Sequence, residues 1–363
     1  MATAMNTITL DRNLAAQPVA RAAIADDKAM LKAAAELTRD LIAPSRAIYW
    51  FDLVASALVG YAALVGAVLA PALGWAIALG AVSLLALYRA MSMIHEVSHM
   101  KHAGLPHFRL GWNILVGVPM LIPSFMYEGV HNLHHAKTRY GTSEDPEYLP
   151  LALMKPWSLP LFILVSALAP VGLLLRFAVL APLSLLSPRL RDAIRARYSA
   201  LAINPHFRRR PPEGEAKRLW DRLEVACSLW ALTLLALVAT GTIPLRAFAI
   251  GLAIAAGVAV INQLRTLVAH LWENEGEAMS VTAQYLDTVN VPPPALLPML
   301  WAPVGLRYHA LHHLLPGVPY HNLGEAHRRL SKVLEQGSPY HAASYRGMPG
   351  LVWKIARATM TAR

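Results

Sequence analysis

The sequence predicts an all-α integral membrane protein: four transmembrane helices in two hairpins, a cytoplasmic helical cap, and interfacial or re-entrant segments, together carrying a histidine-ligated di-metal site. Three observations predict it. The 363-residue chain is 56% hydrophobic and only 15% charged, where soluble domains run near 25% charged, and its mean hydropathy is +0.40. Its long apolar runs come in pairs joined by very short turns. Eight of its 15 histidines fall into three compact clusters.

Residues 1–46 form a polar to mildly amphipathic N-terminal segment in which no cleavable signal peptide is visible. Residues 27–42 suit a helix lying on a surface. The membrane domain is expected over 47–330. Residues 47–70 are apolar except for Asp52 and are long enough to span a bilayer; Pro71 and Ala72 turn the chain, and 73–88 returns towards the first histidine cluster. A second pair follows at 224–239 and 247–264, joined by the turn 240–246. Residues 112–125 are too short to span, 157–186 carry Arg176 near the middle and several prolines, and 291–306 hold five prolines. All three are expected to be interfacial or re-entrant. Residues 331–363 form a cytoplasmic tail.

Charge sets the orientation. Ten Lys and Arg residues lie between Pro188 and Arg222, whereas the outer turns hold only Arg246. Basic loops stay inside, which puts every histidine cluster at the cytoplasmic face. The net charge of +11 then reads as basic cytoplasmic loops with an attraction for anionic lipid. Nucleic acid is excluded as a partner, because the basic residues lie between apolar spans without interleaved aromatics. The single Cys227 excludes an internal disulfide and a cysteine-ligated metal site.

The clusters are His95 and His99; His131, His134 and His135; and His309, His312 and His313. Helical residues at i, i+3 and i+4 share a face, so each cluster aims its imidazoles one way. Depth adds His270. His95 lies 22 residues after Leu73 and His270 lies 23 after Ala247, roughly 33 to 35 Å along a helix, just past a hydrocarbon core of about 30 Å. Nine imidazoles exceed what one zinc takes. Two ions with four or five nitrogens each account for them, and iron is the first-row metal routinely used with open positions for O2.

The order H-x3-H, H-x2-H-H, lone histidine, H-x2-H-H resembles the membrane fatty acid desaturase superfamily. Residues 129–135, 140–148, 265–270 and 308–323 resemble its bacterial acyl-lipid desaturase branch. The likeness runs over roughly 49–330. It implies a bacterial inner-membrane enzyme with two non-haem irons held by His95, His99, His131, His134, His135, His270, His309, His312 and His313. It further implies O2 as co-substrate and a lipid or activated acyl chain as substrate. On this resemblance the expected activity is desaturation. Hydroxylases and ketolases acting on alkanes, lipids or carotenoids share the same metal logic and stand as the alternative. No His-Pro-Gly-Gly haem segment occurs, so electrons are expected from a separate carrier of ferredoxin, rubredoxin or cytochrome type.

Two departures matter. Some relatives place an asparagine four residues before the lone histidine to hold a water; here that position is Thr266, and Asn262 is eight back. His102 extends the first cluster, and a supporting role beside the ligands is expected of it. Glu96, Asp145, Glu147, Glu273 and Asp287 are candidates to orient the ligands. His321 and His327 lie close enough in sequence to reach the third cluster, while His107, His206 and His341 read as surface. Two rival functions are weaker. His95 to His99 matches the H-E-x-x-H zinc-protease signature with Glu96 as base, which leaves the other clusters idle. A metal transporter should place ionisable residues along its spans, and these spans hold few.

Overall fold

The computed structural model describes residues 23–100 and 104–361. His102 and residues 1–22 of the N-terminal segment lie outside them. The fold is helical, and among the described residues only isolated β-bridges occur. Among the described residues, five helices are long and apolar enough to cross a membrane: Arg46–Leu69, Leu73–His99, Ser158–Leu186, Gly214–Ala239 and Leu245–Leu267. Exposed Phe51, Leu58, Leu69, Leu73 and Trp75 on the first pair would be intolerable in water and suit contact with lipid.

The first hairpin forms as expected. Ser45 caps the start of Arg46–Leu69 by accepting from the Ile48 N–H. Apolar association is not driven by water inside a bilayer, so small residues must let the backbones approach. Buried Ser56, Gly60, Ala63 and Ala67 supply that face. A Cβ at Gly60 would sit 2.6 Å from Leu87 Cδ2, and Ser83 Oγ donates to the Gly60 carbonyl across the interface at 2.8 Å.

The second hairpin departs from expectation. Gly214–Ala239 and Leu245–Leu267 are joined by a short turn yet diverge. Between them packs Ser158–Leu186, the early part against Leu245–Leu267 and the later part against Gly214–Ala239. Length and composition therefore count five candidate spans, one more than the sequence reading expected. This helix is not uniform: 3-10 turns at Val165–Leu168 and Ser184–Leu186 and a π-turn at Arg176–Leu180 interrupt it, as prolines and a buried charge would cause. Arg176, 3% exposed, donates to the Tyr198 carbonyl at 2.9 Å, Ser199 Oγ at 2.8 Å and Glu224. Arg195 joins the same carboxylate at 2.6 Å.

The surface helix expected near residue 27 is Lys28–Leu37, capped by Asp27. Its buried Met30 and Ala34 pack with Leu323, Ala326 and Leu330 of the helix Leu323–Val333. A bidentate Arg329–Asp40 pair adds to this contact. Ala310 and Leu311, from the third histidine cluster's segment, pack in the same group.

Candidate metal centre

Each histidine cluster sits on a short helix held by specific contacts. The helix Leu73–Ser92 breaks at Met93 and resumes as Ile94–His99, which carries His95 and His99. Gly129 adopts φ +75°, a left-handed conformation that costs glycine little, and turns the chain into the helix His131–His134. The third cluster rides on His309–Leu314, whose first turn is held by residues 289 and 290: the Ala310 N–H donates to the Val289 carbonyl at 3.1 Å and the Leu311 N–H to Asn290 Oδ1 at 3.0 Å. His270 lies past the end of Leu245–Leu267, where it bridges Thr288. Residues 287–290 thus fasten the lone histidine and the third cluster to one strip of backbone.

All nine expected histidines converge, in two groups. His95, His99, His131, His135 and His312 form one; His134, His270, His309 and His313 form the other; within each, the nitrogens lie within 4.8 Å of one another. The groups cut across the clusters. This corrects the expectation that each cluster aims all its imidazoles one way: at about 3.6 residues per turn i+4 lies about 40° to one side of i and i+3 about 60° to the other, so only i and i+4 of the H-x2-H-H spacing face one point. So His131 and His135 go one way and His134 the other; His309 and His313 likewise part from His312.

The ring geometry is that of a cation site. Nε2 of His131 meets Nε2 of His135 at 3.0 Å, His312 meets His99 at 3.0 Å and His135 at 3.2 Å, and His309 meets His270 at 3.0 Å and His313 at 3.2 Å. His131 Nδ1 stands 2.9 Å from Glu147 Oε1, and His134 Nδ1 stands 2.9 Å from Asp145 Oδ2. His270 Nδ1 bonds the Tyr140 hydroxyl at 2.9 Å, which in turn donates to Asp287 at 2.9 Å. A proton held at Nδ1 leaves Nε2 with a lone pair. Lone pairs pointed at one another from buried rings need a positive charge between them. Both ring nitrogens of His95 are buried with no hydrogen bond among the described residues, and Nδ1 stands 3.5 Å from Glu96 Oε1; that leaves Nε2 an orphan, which is costly unless a metal takes it. Burial holds His131, His135, His270, His309, His312 and His313 well below the ordinary imidazole range, keeping them in the neutral form that binds metal. Burial also works against a proton on His134, but Asp145, Glu147 and Asp287 together outweigh it and raise that group.

The supporting residues were only partly foreseen. Asp145 and Glu147 bond ligands directly. Asp145 Oδ2 also takes the Gly141 N–H at 2.8 Å, and its Oδ1 the Glu147 N–H at 2.8 Å. Asp287 acts through Tyr140 and also accepts from Tyr148 at 2.9 Å and from the Glu273 N–H at 3.3 Å. Tyr127, Tyr140 and Tyr148 carry no spacing signal in the sequence, since an aromatic near a histidine follows no period. Glu96 is occupied by the Tyr49 hydroxyl and the Tyr320 N–H, which leaves it poorly placed as a protease base. His321 accepts from the Ser45 N–H at 3.0 Å and His327 bonds the Tyr340 hydroxyl at 2.8 Å; neither is in the two groups. Thr266 Oγ1 turns back to the Asn262 carbonyl at 2.9 Å.

A model of the family described as Fatty acid desaturase matches residues 73–344. A protein of Caulobacter vibrioides (strain NA1000 / CB15N) named "Ceramide hydroxylase" is 49% identical over 324 residues, covering 89% of this chain and 92% of that protein. The second finding corrects the expectation of acyl desaturation. It favours the hydroxylase alternative within the same superfamily, a choice the ligand spacing has no means of making because both chemistries need the same imidazoles.

Proposed function

The chain belongs to the fatty acid desaturase family, and from that premise we propose that it is an O2-dependent lipid hydroxylase whose substrate is a ceramide or a close sphingolipid relative. The single observation that carries the reading is 49% identity across 89% of the chain to a ceramide hydroxylase. In such a reaction one oxygen atom enters a C–H bond and the other leaves as water, with two electrons and two protons supplied. The electrons come from a separate carrier.

Iron is the metal we propose, two ions per chain, with five imidazoles around one and four around the other. Bound there, the pair would supply O2 activation and hydrogen removal from an unactivated carbon. The protein's part is placement. Asp145, Glu147 and the Tyr140–Asp287 pair fix the rings of His134, His131 and His270, which orients the ligands and raises their basicity.

In this reading four helices cross the membrane and the centre faces the cytoplasm. Three full crossings between His135 and His309 would separate clusters that the fold brings together. The broken helix Ser158–Leu186 fits a partial insertion. Its Leu159 packs in the cluster of Leu267 and Trp272, at the inner end of Leu245–Leu267, and its Arg176 reaches Glu224 in the first half of Gly214–Ala239.

Expression in a ceramide-producing host, followed by lipid mass spectrometry, tests the function. A ceramide species gaining one oxygen supports it. A species losing two hydrogens, or an unchanged profile, counts against it.

A further inference from the structure

A cavity of about 440 Å³ opens behind the second histidine cluster, and its wall is unusually basic: Arg109, Arg139, Arg208, Arg209 and Arg210 against the single carboxylate of Glu128. We propose that this bowl binds the phosphate of an anionic lipid headgroup, independently of which lipid the metal centre oxidises.

The arginines divide the work. Arg209 is a fixed base: it donates to the Ser199 carbonyl at 2.7 Å and the Glu128 carbonyl at 2.8 Å, and its guanidinium lies 4.5 Å from the ring centroid of Trp220. Arg109 and Arg139 are each tied to a carboxylate, Glu128 and Glu144, at 3.3 Å. Arg208 and Arg210 are exposed. Arg208 donates only to the Pro205 and Phe207 carbonyls at 2.8 Å, and neither residue has a carboxylate partner among the described residues. Two guanidinium groups left without an anion over a pre-formed cationic floor suit a phosphate, whose oxygens match the guanidinium fork.

Position and size choose the occupant. Leu110 and Ile114, beside Arg109, are 56% and 59% exposed, which marks the lipid boundary at the rim. Leu219 and Trp220 line the cavity from the polar start of Gly214–Ala239, just before its apolar run. The bowl therefore sits at headgroup level with an apolar side for the start of an acyl chain. Its volume suits a small-molecule group, whereas a docked protein would need about 800 Å² of surface. Val130 and Leu133 also line it. They alternate with His131 and His134, so an occupant packs against the helix that holds the second cluster.

The test titrates full-length protein in a neutral maltoside detergent with dioctanoyl phosphatidylglycerol, dioctanoyl phosphatidylcholine or inorganic phosphate, counting bound species by native mass spectrometry. Each surface arginine near an anionic lipid contributes roughly fivefold in affinity. Arg208→Gln combined with Arg210→Gln should therefore weaken phosphatidylglycerol roughly 30-fold while iron content and thermal unfolding stay as in the parent. Phosphatidylcholine should bind far more weakly than phosphatidylglycerol. Displacement of the lipid by inorganic phosphate would show that the phosphate itself is read, and lack of displacement would show that the glycerol and acyl parts contribute; either supports the site. Equal binding of the two lipids, or no loss in the double variant, overturns the proposal. So does unchanged lipid binding together with lost electron acceptance from an acidic carrier protein, which would assign the surface to that partner.

Discussion

His270 is the residue whose role rests on fold more than on motif, since nothing beside it repeats the cluster spacing. Its Nε2 faces His309 at 3.0 Å and its Nδ1 is held by Tyr140. His270→Ala should therefore lower bound iron, measured by elemental analysis, and abolish turnover about as thoroughly as His135→Ala. His107→Ala, at an exposed position outside both groups, should keep most activity. Full iron and near-normal product in His270→Ala would leave an eight-histidine site. A milder effect is expected one bond further out. Asp145→Asn or Tyr140→Phe should cost roughly 10- to 100-fold in iron affinity or activity, read by chelator competition. At this scale the ligands were legible because three clusters share a helical period and His270 shares their depth. The orienting tyrosines were not, since Tyr140 reaches His270 across 130 residues and no local pattern announces such a contact. Glu96 sits in H-E-x-x-H, but the fold gives one carboxylate oxygen to the Tyr49 hydroxyl and the Tyr320 N–H and leaves the other 3.5 Å from His95 Nδ1, the place of an orienting residue and not of a protease base.

Among the elements, the first hairpin was readable because its apolar runs, turn and small-residue face all agree. The second was readable in its spans but not in its packing. A short turn implies paired helices, yet Ser158–Leu186 holds them apart, anchored by Arg176, Arg195 and Glu224. Removing the shared anion should be severe. Glu224→Ala leaves the buried Arg176 guanidinium without a carboxylate, while Arg195 keeps Asp221, a loss of about 3 to 5 kcal/mol, seen as a large fall in thermal stability. Glu224→Gln, which keeps hydrogen bonding, should fall less. Equal stability of Glu224→Ala and the parent would mean that the anchor is solvated. Topology is tested separately: reporter fusions near Pro205 and at Arg363 should both report cytoplasm. An outer signal near Pro205 would make Ser158–Leu186 a full span and remove the partial insertion proposed above.

For the whole molecule, membrane class, helical architecture and family were all within reach of the sequence, because composition, apolar run length and histidine order are each set by gross physical needs. The reaction outcome was not. Desaturation and hydroxylation begin with the same hydrogen removal and differ in what the substrate radical meets next, which depends on substrate placement and not on ligand identity. The expectation of a desaturase failed at that point. Iron loading checks the shared part of the account: purified protein should hold two irons per chain, and one zinc with no iron would contradict it. The part that distinguishes the reactions needs an oxygen label. Membranes containing the protein, a ceramide and an electron donor should be incubated under 18O2 and the lipids weighed. The account predicts a ceramide that has gained one labelled oxygen atom, with the label lost in His135→Ala. A ceramide lacking two hydrogens and carrying no label would contradict it.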